Sequence, residues 1–302
     1  MESKRAVALG FFDGVHRGHA ALLRRCREAA GELGVRAAAM TFDPHPDTLV
    51  TGAPVPLLNT PEDREGLMRR LCGIDEVLVC RFDRAMMEMP WRTFAGDYLA
   101  EKLGAAHVVC GSDFRFGWRG EGTASLLAAE CARRGMGCSV IGRVEVDGVV
   151  VSSTHIRALV AAGDMERAER FLGHPHVLTG TVEHGQALGR TLGIPTANLA
   201  LPDGLLVPAF GVYAAEAVTE DGARFPAVVN VGDRPTVGGG AARVEAWLLD
   251  YEGDLYGRRL RLEFRRFLRP ERTFESLEAM RGEILRNAGE ARAYLEKQTP
   301  DD

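Results

Sequence analysis

Several features that would narrow the class of protein are missing from this 302-residue sequence. No apolar run reaches the ~18 residues of a membrane span, and the first residues lack the long apolar stretch of a signal peptide. The six cysteines include no CxxC pair, so neither disulfides nor a zinc site are expected. The formal net charge is only −5, without the basic excess typical of nucleic-acid-binding proteins. These absences predict a cytoplasmic protein that binds neither nucleic acid nor membrane.

The composition is that of a globular protein, with 46% hydrophobic and 26% charged residues. At ~100–200 residues per domain, the length predicts two domains. Up to about residue 172, short apolar runs alternate with segments of helical spacing, which predicts a doubly wound parallel α/β sheet. Residues 173–176 break this rhythm. The short strand-like segments that follow predict a small antiparallel β-barrel, closed by a helix from 273 to about 295. The expected domains are 1–172 and 176–302.

The strongest local signal is the string GFFDGVHRGH at residues 10–19, between the first strand and the first helix. Ligands of open α/β sheets bind at the carboxyl ends of the strands, where glycines and a free helix N-terminus suit phosphate. His16 and His19, three residues apart, can face the same anion and stabilise its charge. A zinc site is a weaker alternative because a third ligand is missing nearby. A purely structural role for the two histidines stays open.

Three further segments of the first half accompany this string: TFDPHP at 41–46, GSDFRFG at 111–117 and VSSTHIR at 151–157. Together with HxGH they resemble the bacterial FAD synthetase branch of the nucleotidylyltransferase superfamily. The resemblance implies that ATP and FMN react at a site whose catalytic residues are His16, His19 and Arg157. The nucleotide contacts that it implies are Gly10, Phe12, Asp13, Gly14, Gly18, Ser153 and Thr154. The flavin contacts that it implies are Asp113, Phe114 and Phe116.

Some of these residues also have a simpler structural interpretation. Ser153 and Thr154 stand where a helix begins, so they can act as N-caps, while Arg157 follows one turn later and can reach the same phosphates as a fork. Phe114 and Phe116 can pack in a core instead of stacking on a flavin ring. The sequence alone leaves both interpretations open.

The second half contains a glycine-rich segment that begins at residue 180 and consists of a strand followed by a loop. A glycine loop alone is a weak indication of function. Its pattern, GxVxxGxxxGRxxGxPTAN, nevertheless resembles the bacterial riboflavin kinase signature. The resemblance implies Mg²⁺ ligands at Thr196 and Asn198, and Mg²⁺ accepts such oxygen atoms beside phosphate and water. The nucleotide contacts that it implies are Gly185, Gly189 and Arg190.

The base of that family is a glutamate on a later strand, and Glu245 matches its place. It would accept the proton of the ribityl 5′-hydroxyl during attack on the γ-phosphate, while positioning and Mg²⁺ supply most of the catalysis. Asp250 is the nearby alternative, although on a regular strand their odd spacing places them on opposite sides. Arg269 is implied as a flavin contact. Three positions depart from the family pattern: Trp247, Val237 and Asn287.

The motifs cover nearly the whole chain in the family's order. The resemblance therefore implies a bifunctional riboflavin kinase and FAD synthetase, with ATP, riboflavin and FMN as substrates and Mg²⁺ as cofactor. A nucleotidylyltransferase domain would precede a β-barrel kinase domain that ends in a helix, and a homo-oligomer is compatible with this. One alternative is a riboflavin kinase with an inactive first domain, against which the intact His16, His19 and Arg157 argue. The other is a flavin-sensing binding protein, which would need neither a base at Glu245 nor the PTAN ligands, and the fold alone does not decide between them.

Overall fold

The computed structural model describes residues 4–185, 193–233 and 242–298. The chain divides into two compact units, Met1–Leu57 with Pro61–Ser153, and Leu58–Thr60 with Thr154–Asp302. The expected fold class, a parallel α/β unit followed by an antiparallel barrel and a terminal helix, is confirmed. The domain limits at 172 and 176 stay predictions. Three residues singled out in the sequence lie outside the described residues: Gly189, Arg190 and Val237.

The first unit is built on a five-stranded parallel sheet. Its strands are β1 (Arg5–Leu9), β2 (Arg36–Asp43), β3 (Glu76–Arg81), β4 (Ala105–Gly111) and, after the short hairpin of β5 (Arg115–Phe116) with β6 (Gly122–Thr123), β7 (Gly137–Ile141). The strand order is β3-β2-β1-β4-β7. The chain builds outward on one side of β1 and then on the other, so the winding reverses between β1 and β4, where doubly wound folds bind their ligands. A second hairpin, β8 (Glu145–Val146) with β9 (Val149–Val150), follows.

Helices cover both faces of this sheet because successive strand residues point to opposite sides. The helices are α1 (Arg17–Leu33), α2 (Pro46–Thr51), α3 (Pro61–Cys72), α4 (Arg84–Met87), α5 (Trp91–Thr93) and α6 (Ala124–Arg133). Ala6 and Ala8 pack with α1 and α3 on one face, whereas Val7 and Leu9 pack with α6 and residues 94–99 on the other. A π-helix over Phe94–Lys102 follows α5 directly.

The second unit is a closed antiparallel barrel with helices around it. Before the barrel come α7 (Ser153–Ala161), which begins at the limit between the units, and α8 (Met165–Leu172). The strands are β10 (His176–Glu183), β11 (Ala197–Ala200), β12 (Gly211–Thr219), β13 (Arg224–Asp233), β14 (Ala242–Leu248) and β15 (Arg259–Arg269), joined in the order β10-β11-β14-β13-β12-β15. The last helix, α9 (Leu277–Glu296), packs on the outside of β12 and β13. It begins four residues later than predicted because the Ser276 hydroxyl caps it, accepting the N–H of Ala279.

α8 packs against β10 and β15 of the barrel. Its four buried residues are Met165, Ala168, Phe171 and Leu172. Glu169, on the same helix, forms an ion pair with Arg265 of β15 at 2.6 Å. Apolar contact and an ion pair together therefore attach α8 to the barrel, although the sequence pattern groups this segment with the first domain.

Candidate active sites

The first candidate site lies at the carboxyl ends of β1 and β4, where the winding of the sheet reverses. A cavity of about 260 Å³ opens there. It is lined by the end of β1, the start of α1, the loop after β4 and the segment before α7. Seven of the residues predicted from the sequence line it: Gly10, His16, Gly18, His19, Asp113, Phe114 and Ser153. The parallel topology thus brings together motifs that are more than 100 residues apart in the chain.

His16 and His19 form a rigid pair at the N-terminus of α1. The Nδ1 atom of His16 accepts the backbone N–H of His19 at 3.2 Å, and the two rings stack with centroids 3.5 Å apart. A neutral imidazole that accepts at Nδ1 carries its proton on Nε2, so that second ring nitrogen of His16 is a hydrogen-bond donor. A Cβ on Gly18 would lie 3.1 Å from the His16 ring, so glycine at this position leaves room for the stack.

The loop between β1 and α1 has a strained backbone. Phe12 lies in the left-handed region with φ 61°, and Val15, a β-branched residue, has φ 41°. Phe12, Asp13 and Gly14 are buried and do not line the cavity. The Asp13 carbonyl accepts the Ser153 hydroxyl at 3.0 Å, so the loop is tied to the start of α7. Of the predicted nucleotide contacts, these three lie beneath the surface that a ligand would touch.

Two side chains without a role in the sequence analysis converge on this loop. The Thr41 hydroxyl donates to the Phe11 carbonyl at 2.7 Å, and Arg64 Nη1 donates to the same oxygen at 3.1 Å. Both side chains are buried, each residue being 1% exposed. Thr41 lies in the TFDPHP segment at the end of β2, and Arg64 lies on the buried face of α3.

The predicted flavin contacts of this unit occupy different surroundings. Asp113 is exposed in the loop after β4, and Phe114 faces the cavity. Phe116 is buried, 5.5 Å from Phe114 and 5.2 Å from Phe94 between ring centroids. Phe116 therefore supports Phe114 from the core side.

The remaining predicted residues of the first site lie at the start of α7. The helix begins at Ser153, and Thr154 beside it is exposed. Arg157 follows one turn later and is half-buried. A hydroxyl, a helix N-terminus and a guanidinium are groups that can bind an anion such as phosphate.

The second candidate site lies outside the barrel wall, beside α9. A cavity of about 260 Å³ opens between the outward-facing residues of the wall and the start of α9. Its apolar lining is Ile194, Val212, Val228, Trp247, Phe274, Met280 and Ile284. Its polar lining is Thr196, Asn230, Arg243, Glu245, Arg269, Glu271, Arg272 and Asn287. A cavity that combines apolar walls with polar groups can bind a small organic molecule and fix its orientation.

Strand register aligns the residues predicted for phosphoryl transfer. Asn198 of β11 lies opposite Glu245 of β14, and Glu245 lies opposite Asn230 of β13. Thr196 lies one residue before β11 and lines the same cavity as Glu245. Glu245 also forms an ion pair with Arg243. Gly185, a predicted nucleotide contact, lies next to Asn198, a predicted metal ligand, since a Cβ on Gly185 would overlap the Asn198 amide.

Asp250, the alternative carboxylate, is excluded from this cavity for a different reason than strand alternation. β14 ends at Leu248, and Asp250 lies in the following turn with φ 63°. Its carboxylate pairs with Arg292 of α9 at 2.6 Å. The expectation that both carboxylates share one regular strand is therefore wrong, because the turn begins before residue 250.

Thr196 also lines a second, smaller cavity of about 80 Å³ at the mouth of the barrel. This cavity is bounded by Pro195, Tyr251 and Tyr256, and the Tyr256 ring stacks on His184 with centroids 3.7 Å apart. Because Thr196 lies between the two cavities, ligands in both can approach the same hydroxyl.

Arg269 reaches the larger cavity from the end of β15. Its Nε donates to the Asn287 amide oxygen at 3.0 Å and lies 3.3 Å from the buried Glu283 carboxylate. Trp247 and Asn287 line the same cavity. Two of the three departures from the family pattern therefore face the space that a ligand would occupy.

Comparisons with known proteins agree with the division into two sites. A family model described as FAD synthetase matches residues 1–155, and one described as riboflavin kinase matches residues 172–295. A bifunctional riboflavin kinase/FMN adenylyltransferase from Pseudomonas fluorescens is 41% identical, over 97% of this chain and 94% of its own. The chain belongs to the bifunctional riboflavin kinase/FMN adenylyltransferase family. Relatives of the same name from Escherichia coli K12 and Listeria monocytogenes are 37% and 33% identical, over 96% and 97% of this chain and 92% and 93% of theirs.

The fold is also seen in a solved structure. The crystal structure of a protein named macrolide-efflux protein, from Streptococcus pneumoniae, superposes with a TM-score of 0.86 at 29% identity. The match covers 97% of this chain and 95% of that one. Among the helices that the structure describes in this chain, none has both the length and the apolar character needed to cross a membrane. In the family's terms, the cavity at His16 belongs to the FAD synthetase half and the cavity at Glu245 to the riboflavin kinase half.

Proposed function

We propose that this chain phosphorylates riboflavin at the Glu245 site and adenylylates FMN at the His16 site, using ATP in both reactions. The observation that supports the proposal most strongly is the cross-strand alignment of Asn198 with Glu245, a residue that lines the larger cavity of the second unit. The same chain holds a stacked histidine pair at the topological switch point of its α/β unit. Each arrangement fits one of the two reactions that name the family.

At the kinase site, the apolar walls would receive the isoalloxazine ring and direct the ribityl chain toward Glu245. The carboxylate would accept the proton of the 5′-hydroxyl as that oxygen attacks the γ-phosphate, and the bond to the bridging oxygen would break to release ADP. ATP would approach from the smaller cavity on the other side of Thr196. Because catalysis of phosphoryl transfer rests mainly on positioning and charge, the alignment of these groups on neighbouring strands is the essential contribution of the fold.

The donor set near Glu245 fits Mg²⁺. Thr196, just before β11, and Asn198, on β11, offer a hydroxyl and an amide oxygen, and hard cations prefer such oxygen ligands. Mg²⁺ held there would neutralise charge on the nucleotide phosphates. We propose Thr196 and Asn198 as its protein ligands.

At the adenylyltransferase site, the FMN phosphate would attack the α-phosphate of ATP and release pyrophosphate. The Nε2–H of His16 and the N-terminus of α1 would stabilise the charge that develops on the phosphate oxygens. Ser153, Thr154 and Arg157 at the start of α7 would bind the remaining phosphates. Phe114 would contact the flavin ring from the cavity wall.

Other properties belong to the same proposal. The kinase activity is assigned to residues from about 176 onward and the adenylyltransferase activity to residues 1–172, in a cytoplasmic enzyme. The rival functions are a kinase with an inactive first domain and a flavin sensor. The side-chain arrangement at His16 and His19 favours the bifunctional enzyme over the first, and a carboxylate aligned with two amide side chains favours it over the second.

One incubation separates these possibilities. The purified full chain is mixed with riboflavin, ATP and Mg²⁺, and FMN and FAD are resolved by chromatography over time; a parallel reaction starts from FMN. The bifunctional enzyme produces FMN first and then FAD, and the FMN reaction yields FAD directly. FMN without FAD in either reaction would support the inactive first domain, and flavin binding without either product would support a sensor.

A further inference from the structure

The loop between β1 and α1 depends on two buried side chains, those of Thr41 and Arg64, to which no role has been assigned above. We propose that Arg64, together with Thr41, is a positioning residue for adenylyl transfer, holding the Phe11 carbonyl so that the loop presents His16 to the nucleotide. This inference rests on the proposed function of the first site. It assigns a role to a residue of α3 that does not line the cavity.

The geometry around the Phe11 carbonyl is that of a clamp. The Thr41 hydroxyl and Arg64 Nη1 donate to one oxygen from two different elements, β2 and α3, at 2.7 and 3.1 Å. The Arg64 guanidinium also lies over the Phe11 ring, 4.1 Å from its centroid. The His45 ring contacts Phe11 as well, with centroids 4.1 Å apart. Backbone and side chain of Phe11 are therefore both fixed.

A fixed carbonyl has a direct consequence for the next residue. In a trans peptide the C=O and the following N–H point in opposite directions, so holding the Phe11 oxygen inward turns the Phe12 N–H the other way. Phe12 then has φ 61° and Val15 has φ 41°, conformations that persist only where the surroundings impose them. Val15 immediately precedes His16, so rotation of the Phe11 peptide would displace the histidine that caps α1.

The surroundings of Arg64 are unusual for a residue with a merely structural role. It occupies an apolar stripe with Leu67 and Met68, where a leucine or methionine would pack without the cost of desolvating a charge. Burial lowers the pKa of Arg64, and the negative charges of Asp13 and Asp43 oppose that effect. Retaining a cation there is explained if its hydrogen bond to the loop is needed.

The experiment removes each donor separately from the full-length chain. Thr41→Val is isosteric and removes one donor, while Thr41→Ser keeps the hydroxyl. Arg64→Met removes the other donor, and Arg69→Met is the matched control. Arg69 lies on the same helix and also donates to a backbone carbonyl, that of Asp75, at 2.6 Å, but its side chain is 45% exposed and remote from the loop.

The rate of FMN-to-FAD conversion is measured at saturating ATP and FMN, with FMN formation from riboflavin as the internal control. Thr41→Val and Arg64→Met should each lower the kcat of FAD formation by about 10–100-fold, as expected for misplaced catalytic groups, with the kinase rate retained. Thr41→Ser and Arg69→Met should stay within about twofold of the unchanged chain by the same reasoning. Because both donors act on one oxygen, the double variant should lose less than the product of the single losses.

Three results would overturn the inference: unchanged FAD formation in both single variants, equal losses in Arg69→Met, or losses that multiply in the double variant. A merely structural role would lower both activities together, and Thr41→Ser would not restore FAD formation selectively. If the unchanged chain makes no FAD at all, the proposed function of the first site fails and this inference fails with it. FAD formation by the unchanged chain with full activity in Thr41→Val and Arg64→Met rejects the inference alone.

Discussion

Replacing Glu245 by glutamine tests the proposed base of the kinase reaction with little change in shape. A general base contributes ~10²–10⁴-fold, which corresponds to about 2.7–5.4 kcal/mol of transition-state stabilisation. The amide oxygen of glutamine can still accept a hydrogen bond from Arg243. Because the Arg243 side chain is 33% exposed and that of Glu245 17%, losing the charge of this pair should change folding stability by at most about 1 kcal/mol. The kinetic effect should therefore greatly exceed the structural one.

Asp250→Asn is the matched control for this substitution. It makes the same carboxylate-to-amide change five residues away, in an exposed turn where the partner is Arg292. The assay is FMN formation at saturating riboflavin and ATP, with FMN adenylylation measured in the same preparations. We expect a kinase loss of ~10²–10⁴-fold for Glu245→Gln and nearly full activity for Asp250→Asn. An unimpaired Glu245→Gln kinase, or an equal loss in both variants, would refute the reasoning that assigns the base to Glu245.

Three further outcomes are expected. Alanine at both His16 and His19 should reduce FMN-to-FAD conversion by at least ~10²-fold while FMN formation survives; equal loss of both, with altered circular dichroism, would indicate misfolding instead. A fragment 154–302 should unfold at a higher urea concentration than a fragment 176–302, because the shorter one lacks the apolar face of α8, and equal midpoints would contradict this packing. Burial lowers the pKa of His176 to about 3, so below pH ~6.5 the unfolded chain binds a proton at this imidazole that the folded chain does not bind. The free energy of unfolding of fragment 154–302 should therefore fall by up to about 1.4 kcal/mol per pH unit from this group as the pH is lowered toward 3. His176→Gln should reduce that slope in urea titrations.

The fold could be predicted from the sequence because the patterns that indicate helices and strands are local. Alternating apolar runs and helical segments predict the parallel sheet, and short strand-like segments with turn signals predict the barrel. The predicted ends of helices and strands were less accurate, because a single residue can determine where an element begins or ends. Ser276 caps α9, which therefore begins four residues later than predicted. β14 ends at Leu248, before the carboxylate of Asp250 that periodicity placed on the strand.

The sequence predicted only part of the first site, and Arg64 shows the reason. Its acceptor, the Phe11 carbonyl, is 53 residues earlier in the chain, so a local pattern cannot indicate the pair. A weaker signal was present: an arginine three and four residues before Leu67 and Met68 lies on the apolar face of its helix. A charged residue on such a face usually has a buried partner. The second site depends on strand register. Asn198 and Glu245 are paired because β11 and β14 are neighbours in the closed barrel, and a local sequence pattern does not indicate which strands are neighbours.

The two proposed sites would use the same nucleotide but break different bonds, and their residues differ accordingly. Transfer of the γ-phosphoryl group to an alcohol requires a proton acceptor and neutralisation of the terminal phosphates, and Glu245 lies opposite an oxygen-donor side chain, that of Asn198. Attack of FMN on the α-phosphate needs no such base, because a phosphate nucleophile is already ionised at neutral pH. What it needs is stabilisation of charge on phosphate oxygens, and the donors available are an imidazole, a helix N-terminus and hydroxyls. Among the described residues that line the first cavity, the carboxylate present is that of Asp113, which is exposed, whereas Glu245 lies in strand register with Asn198.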